Sequence, residues 1–255
     1  MQRWLQSYNE VDEMMAISHS LDRTLGIVLN KRPFKESGFL VELFTREYGR
    51  IPLLARGRSN PKKPLNFLEL FTTSDWHLKV GQSFHFIESV DLVTQRLLSG
   101  KAIWTAYYLN ELLLKLLPQH QEAPALFEYY QLALEALLES EQSDLDITPF
   151  LRQFELQLLR ELGVLPDLTE DYEGRKVIAG RRYYLSFEEG LLPISLPGTF
   201  PIVGELILKI LAQAPLSKIE SVEYRNMMRY LFEPLLEGKP LQSRIWMQKL
   251  YGKGR

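Results

Sequence analysis

The chain has no cysteine among its 255 residues. This absence excludes disulfide bonds and every zinc or iron–sulfur site built on thiolates, and it fits a reducing compartment. Long apolar runs are also missing, since no stretch approaches the ~20 apolar residues needed to cross a bilayer. The first twenty residues include Glu10, Asp12 and Glu13 and lack the apolar core of a secretory signal. We therefore expect a cytoplasmic protein without a membrane segment.

The motifs of common catalytic sites are absent as well. There is no Walker A phosphate loop and no G-x-S-x-G, H-E-x-x-H or G-x-G-x-x-G. The four histidines are His19, His77, His85 and His120. They are scattered along the chain, and the glutamates of the acidic middle are typical of a solvated helix face. We predict that the protein is not an enzyme and uses no cofactor or metal.

Basic residues, in contrast, are concentrated, although the net charge is only −2. Residues 21–80 hold eleven Lys or Arg against six Asp or Glu, whereas residues 101–170 hold four against twelve. Residues 238–255 contain five basic residues and no acid. Nucleic acid is the commonest polyanion for such segments, while a solvated basic surface is the ordinary alternative. The asymmetry predicts a polyanion-binding end and an acidic middle.

Two clusters form the candidate nucleic-acid site. The first cluster is Lys31, Arg32, Phe34 and Lys35, and the second cluster is Arg56, Arg58, Lys62 and Lys63. Single strands are bound by a basic groove with aromatic platforms, because each base has a face on which a ring stacks. Phe34 is the candidate platform, since a ring flanked by Lys and Arg is hard to bury. Other aromatics of this region, such as Trp76, are expected in the core.

Apolar and polar residues alternate between residues 24 and 92, which predicts five strands. The predicted strands are residues 24–30, 39–46, 50–55, 67–80 and 83–92. A turn segment is expected at residues 31–37 and a short hairpin loop at residues 47–49. Five short strands without a helix predict a small closed barrel, of which the OB-fold is the commonest that binds nucleic acid. The two clusters then fall between strands one and two and between strands three and four.

Helical spacing begins after the fifth strand. The predicted helices are residues 102–117, 124–138, 149–162, 202–212 and 222–236. Residues 164–200 are irregular, apart from a hairpin at residues 177–192. The expected fold class is therefore β followed by α. The expected domains are an N-terminal arm (residues 1–23), an OB-fold domain (24–95) and a helical domain (96–255).

Six segments between residues 24 and 246 carry a family pattern. They are residues 26–37 (GIVL and RPFKES), 43–50 (LFTREYGR), 54–57 (LARG), 108–112 (YLNEL), 151–159 (LRQFELQLL) and 238–244 (GKPLQSR). In this order they resemble the RecO family of bacterial recombination mediators. Many members carry a four-cysteine zinc module, whereas residues 164–192 here contain no cysteine or histidine. The resemblance is therefore to the zinc-less branch.

The resemblance implies a DNA repair and recombination mediator that binds single- and double-stranded DNA and anneals complementary strands. It implies RecR and single-stranded-DNA-binding protein as partners, and RecA indirectly, through loading of that recombinase. Lys239 and Arg244 join the two clusters as DNA-binding candidates. The C-terminal tail of single-stranded-DNA-binding protein is an acidic peptide ending in an apolar residue, which needs an apolar slot beside a cation.

Residues 149–162 offer these features. Phe154 and Leu158 have i, i+4 spacing, and Arg152 and Arg160 are among the few cations of an acidic stretch. The alternative is that Phe154 and Leu158 are core and that the arginines pair with nearby carboxylates. Two other functions also remain open: an RNA-binding OB-fold protein, which would contact 2′-hydroxyls, and a protein-interaction scaffold working through its acidic helices.

Overall fold

The computed structural model describes residues 20–35, 38–56, 68–81 and 84–251. Packing divides the chain into two compact units, which meet in sequence between Glu141 and Gln142. The first unit contains five strands and two helices, and the second contains a small sheet and the remaining helices. The predicted β-then-α fold class is confirmed. The predicted domain boundaries and the N-terminal arm stay predictions.

Five strands of the first unit form a closed barrel in the order β1-β2-β3-β5-β4. Their bounds are β1 Ser20–Phe34, β2 Gly38–Thr45, β3 Gly49–Arg56, β4 Thr73–Lys79 and β5 His85–Thr94. Neighbouring strands are antiparallel except β3 and β5, whose short parallel pairing at Leu53 and Leu54 closes the barrel. This is the strand order of the OB-fold, as the alternating sequence predicts.

Trp76 fills the barrel core, where its side chain is fully buried. Its indole Nε1 donates a hydrogen bond of 3.1 Å to the carbonyl oxygen of Gly26 on β1. A Cβ at Gly26 would lie 2.9 Å from a Leu43 methyl and 3.0 Å from the Trp76 ring, so the missing side chain gives both residues their space. Leu43, Ile51 and Leu53 complete this core. A buried indole with a satisfied N–H fixes the relative positions of β1 and β4.

Helices α1 (Gly100–Leu116) and α2 (Pro124–Glu139) pack against the barrel within the first unit. Asn110 of α1 donates from Nδ2 to the carbonyl of Leu29 at 2.7 Å, and its Oδ1 accepts from the buried Tyr130 hydroxyl. Burial raises the pKa of Tyr130, so the phenol stays protonated and donates this bond. The ring of Phe44 meets that of Phe127 edge-on at 5.4 Å.

The second unit comprises α3 (Thr148–Glu161), a three-stranded antiparallel sheet and three further helices. The sheet has the order β7-β6-β8, and its strands are β6 Arg182–Ser186, β7 Gly190–Leu192 and β8 Phe200–Val203. The helices are α4 Gly204–Leu211, α5 Lys218–Phe232 and α6 Gln242–Tyr251. In the part of the chain that is described, no helix combines the length and apolarity that a membrane span requires.

The sequence pattern locates most elements but not all of their bounds. The hairpin expected at residues 177–192 is β6–β7, and the helices expected at 202–212 and 222–236 are α4 and α5 with shifted ends. Strand β8 and helix α6 were not predicted. Strand β8 is only four residues long, and α6 leaves the apolar side chains of Trp246 and Leu250 exposed, which weakens an amphipathic pattern.

Candidate nucleic-acid interface

The first cluster lies mostly in regular strand. Strand β1 continues to Phe34, and its residues Lys31 and Arg32 pair with Val41 and Leu40 of β2. The turn predicted at residues 31–37 is therefore wrong for residues 31–34. The pairing of β1 with β4 ends at Ile27, so the first cluster lies in a stretch of β1 that pairs with β2 alone. Such an edge stretch tolerates a proline, here Pro33.

Exposure differs among the four side chains of this cluster. Arg32 and Lys35 are exposed, whereas Lys31 and Phe34 are half-buried. The Lys31 ammonium lies 2.8 Å from the Glu69 carboxylate, and the Lys35 ammonium lies 5.7 Å from the centre of the Phe34 ring. Since side chains alternate along a strand, Arg32 and Phe34 share one face of the hairpin. That face combines a cation with an aromatic ring.

Strand register places the backbone at the start of the second cluster near the end of the first cluster. Phe34 pairs with Gly38 of β2, and Gly38 pairs with Arg56 of β3. Two strand spacings separate Phe34 from Arg56, which is roughly 10 Å between the backbones. Gly38 carries no side chain, and a Cβ there would lie 3.0 Å from the Phe34 carbonyl oxygen. Arg58, Lys62 and Lys63 lie outside the described residues.

Cations on the β4 side of the barrel are neutralised by acids of β4 and β5. Arg23 bridges Asp75 and Asp91 at 2.8 Å each, and its hydrogen bonds to Asp91 and Asp75 raise its pKa. Lys79 lies 3.6 Å from Glu88. A phosphate chain would have to displace these carboxylates, which makes this side a poorer polyanion surface than the first cluster.

The two C-terminal candidates lie in the second unit. Lys239 is exposed and its ammonium lies 2.8 Å from the Glu237 carboxylate, which raises the pKa of Lys239. Arg244 is half-buried on α6. Both residues belong to the second unit, whereas the two clusters belong to the first.

The residues predicted to capture the tail peptide are mostly core. Phe154 and Leu158 are fully buried, so the slot expected from their i, i+4 spacing is not open on α3. Arg152 pairs with Glu155, whose side chain is completely buried. This matches the alternative in which the apolar pair is core and Arg152 neutralises a carboxylate. Only Arg160 remains exposed at the predicted site.

Arg160 nevertheless borders a pocket of about 360 Å³ in the second unit, whose lining is partly apolar and partly polar. The apolar lining residues are Leu156, Leu165, Pro166, Leu168, Ile210 and Leu211. Asp167 also borders it, and two hydrogen bonds of 2.7 Å from Thr169 lower the pKa of Asp167 and hold its carboxylate in place. Apolar side chains, an arginine and an aspartate therefore border one pocket.

Two features of the candidate site were not predicted from the sequence. The Lys31–Glu69 contact joins residues 38 positions apart, and the pocket combines the end of α3, the loop after it and the end of α4. No periodicity links such residues, although the apolar composition of residues 162–168 is a weak signal. Across the described ranges, no three His, Cys, Asp or Glu side chains are grouped so as to hold a metal.

Two protein-family models match the sequence of this chain. The family model described as recombination protein O N terminal matches residues 19–96, and the one described as recombination protein O C terminal matches residues 98–236.

Curated relatives of similar length carry the name DNA repair protein RecO. The protein from Azoarcus sp. (strain BH72) is 33% identical over 245 residues, which cover 92% of this chain and 99% of the relative. The protein from Aromatoleum aromaticum is 34% identical over 246 residues, with the same coverage of 92% and 99%. The protein from Alteromonas mediterranea is 33% identical over 233 residues, covering 87% of this chain and 95% of the relative.

Proposed function

The chain belongs to the RecO family, and on that premise we propose that it is a non-enzymatic mediator of DNA repair and homologous recombination. In this role it binds single- and double-stranded DNA, anneals complementary strands and helps to load a recombinase onto DNA coated with single-stranded-DNA-binding protein. The observation that carries the proposal is the face of β1 that combines the exposed Arg32 with the half-buried Phe34 ring on an OB-fold barrel. The backbone of Arg56 lies two strands away in the same pairing register.

The proposed mechanism is electrostatic. The cations of the two clusters neutralise phosphates, and contacts to the backbone carry no base information, so little sequence preference is expected. Two strands held on one cationic surface repel each other less, which favours annealing without any bond being made or broken. Lys239 and Arg244 would add phosphate contacts from the second unit. Phe34 would stack on a base of a single strand.

Partner binding is proposed for the pocket beside Arg160. The acidic tail of single-stranded-DNA-binding protein ends in an apolar residue, and the pocket offers apolar walls from Leu156, Leu168 and Ile210. The Arg160 guanidinium at its edge would pair with the terminal carboxylate through charge-assisted hydrogen bonds. RecR is the other proposed direct partner, and RecA is reached indirectly. The proposed place of action is the bacterial cytoplasm, at the nucleoid during repair.

A strand-annealing assay on complementary DNA coated with single-stranded-DNA-binding protein tests the proposal. Wild type should accelerate annealing, and the double variant Arg32→Glu with Lys35→Glu should lose most of the acceleration. The matched control is Lys218→Glu with Arg225→Glu, an identical charge change at two exposed positions of α5. Equal loss in both double variants would point to net charge rather than this site. Faster annealing of RNA than of DNA would favour the RNA-binding alternative.

A further inference from the structure

Helix α6 presents an exposed indole and carries basic residues but no acidic one. Its first turn is anchored by Leu241 and Ser243, which are 2% and 5% exposed. Trp246 on the same helix is 49% exposed, although tryptophan is costly to leave in water. The Lys249 ammonium lies 5.3 Å from the centre of the Trp246 ring. Helix α6 contains Arg244 and Lys249 and no acidic residue.

This setting separates Trp246 from the other exposed apolar side chains of its unit. Tyr172 is the other strongly exposed aromatic residue in the described ranges, and its hydroxyl donates to the Glu173 carboxylate. Ile219 is 75% exposed on α5, but it precedes Glu220 directly. Carboxylates at these positions repel a polyanion, whereas none lies on α6. Charge therefore favours a nucleic-acid partner for the indole.

We propose that Trp246 is a stacking platform for an unpaired base of single-stranded DNA, with Lys249 binding the phosphate of the same nucleotide. An indole accepts the face of any base, so the contact is tolerant of sequence. The ammonium over one face of the ring would meet the phosphate that accompanies a base stacked on the ring. This proposal rests on the DNA binding proposed above. It adds that the protein binds single strands differently from duplexes, because the bases of a duplex are already stacked on each other.

The test uses three DNA probes, each 20 nucleotides long: single-stranded oligo(dT), an abasic strand with the same backbone, and a duplex. Trp246→Leu keeps an apolar side chain but removes the ring, and should weaken oligo(dT) binding roughly tenfold, from the ~1–3 kcal/mol that one stacked base contributes. Affinity for the abasic strand and the duplex should change less than about twofold. Trp246→Tyr should retain most of the oligo(dT) affinity, because it retains a ring.

Lys249→Gln should weaken binding of oligo(dT) and of the abasic strand by similar factors, since both carry phosphates. The matched control is Ile219→Ala, which removes an exposed apolar side chain from α5 and should leave all three affinities unchanged. Equal losses of Trp246→Leu on oligo(dT) and on the abasic strand would overturn the stacking proposal. So would unchanged oligo(dT) affinity in a folded Trp246→Leu variant. If wild type binds none of the probes in a salt-sensitive way, the proposed function itself fails.

Discussion

The Lys31 ammonium lies 2.8 Å from the carboxylate of Glu69, a residue that sits just before β4 and is half exposed. One cation of the first cluster is therefore engaged by an acid of the same unit. A phosphate that binds Lys31 must compete with this carboxylate. In the proposed function this contact would lower the affinity of the cluster for a polyanion, and one substitution removes it.

We expect Glu69→Gln to tighten DNA binding roughly two- to fivefold, because an exposed ion pair of this kind contributes about 0.2–1 kcal/mol. Fluorescence anisotropy with a single-stranded oligonucleotide at fixed salt measures the change. Glu128→Gln is the matched control, since it also neutralises an acid that contacts an arginine in the first unit, Arg46, at 2.8 Å. Equal tightening in both variants would show a general effect of net charge and would remove the role assigned to Lys31.

The second cluster should govern the salt dependence of binding. Reversing the charge of Arg56, Arg58, Lys62 and Lys63 together should weaken binding almost equally across DNA sequences while the fold stays intact. If about five phosphates are contacted, log K against log salt has a slope near −3.5 on single strands, from ~0.7 per phosphate. The slope should become shallower in the variant. An unchanged slope would contradict the assignment of this cluster.

Arg152 should matter for stability rather than for partner binding. The Arg152 guanidinium pairs with the fully buried carboxylate of Glu155. Arg152→Ala removes the counter-charge of a buried acid, which typically costs about 3 kcal/mol in the free energy of unfolding. Urea denaturation measures this cost. Arg160→Ala, an exposed position on the same helix, should cost less than about 0.5 kcal/mol. Similar stabilities of the two variants would refute the structural role of Arg152.

The amino terminus of α5 should respond to acid pH. Hydrogen bonds from Lys209, and then from Ser217 at the helix cap, lower the pKa of Glu220 to about 2. This lies below the ~4.3 of an unfolded glutamate, so the ionised form favours the native state. Its stabilising contribution is complete above about pH 5 and is lost as the pH falls towards 2. The melting temperatures of wild type and Glu220→Gln should therefore differ at neutral pH and converge in acid.

Periodicity and turn residues were enough to predict the barrel and most helices. Alternation in β1 to β5 reflects one face turned to a core, and the spacing of Phe154 and Leu158 reflects the buried face of α3. The same pattern could not show what covers that face. The spacing alone is compatible with an open slot and with a buried core, and the packed unit buries both side chains. Periodicity shows that a residue is apolar, whereas tertiary packing determines whether its side chain is accessible to a ligand.

The site depends on contacts that no local pattern contains. Lys35 adopts a left-handed backbone with φ of 49° at the end of β1, and the cluster before it is strand because β2 pairs with it. The pocket beside Arg160 exists because Ile210 and Leu211 of α4 approach the loop at Leu165. Such features arise from the whole fold, so the sequence pattern singles out Arg160 but not the pocket that it borders.

This pocket leads to a prediction on the tail of single-stranded-DNA-binding protein. A labelled peptide of acidic residues ending in an apolar residue should bind wild type, and Arg160→Glu should weaken binding at least roughly tenfold, since a charge-assisted hydrogen bond contributes about 1.5–3 kcal/mol. Leu211→Asp, at the pocket wall, should weaken it as well by placing a charge in the slot. Arg182→Glu, an exposed change on β6, is the matched control.

The peptide itself supplies a second test of the same pocket. Replacing its last apolar residue by serine should reduce the difference between wild type and Leu211→Asp, because the apolar wall then has nothing to bury. Amidating its terminal carboxylate should do the same for Arg160→Glu, because the guanidinium then has no terminal charge to pair with. Wild-type affinity in both protein variants, with melting curves unchanged, would exclude this pocket and shift attention to the basic residues around Lys239 and Arg244.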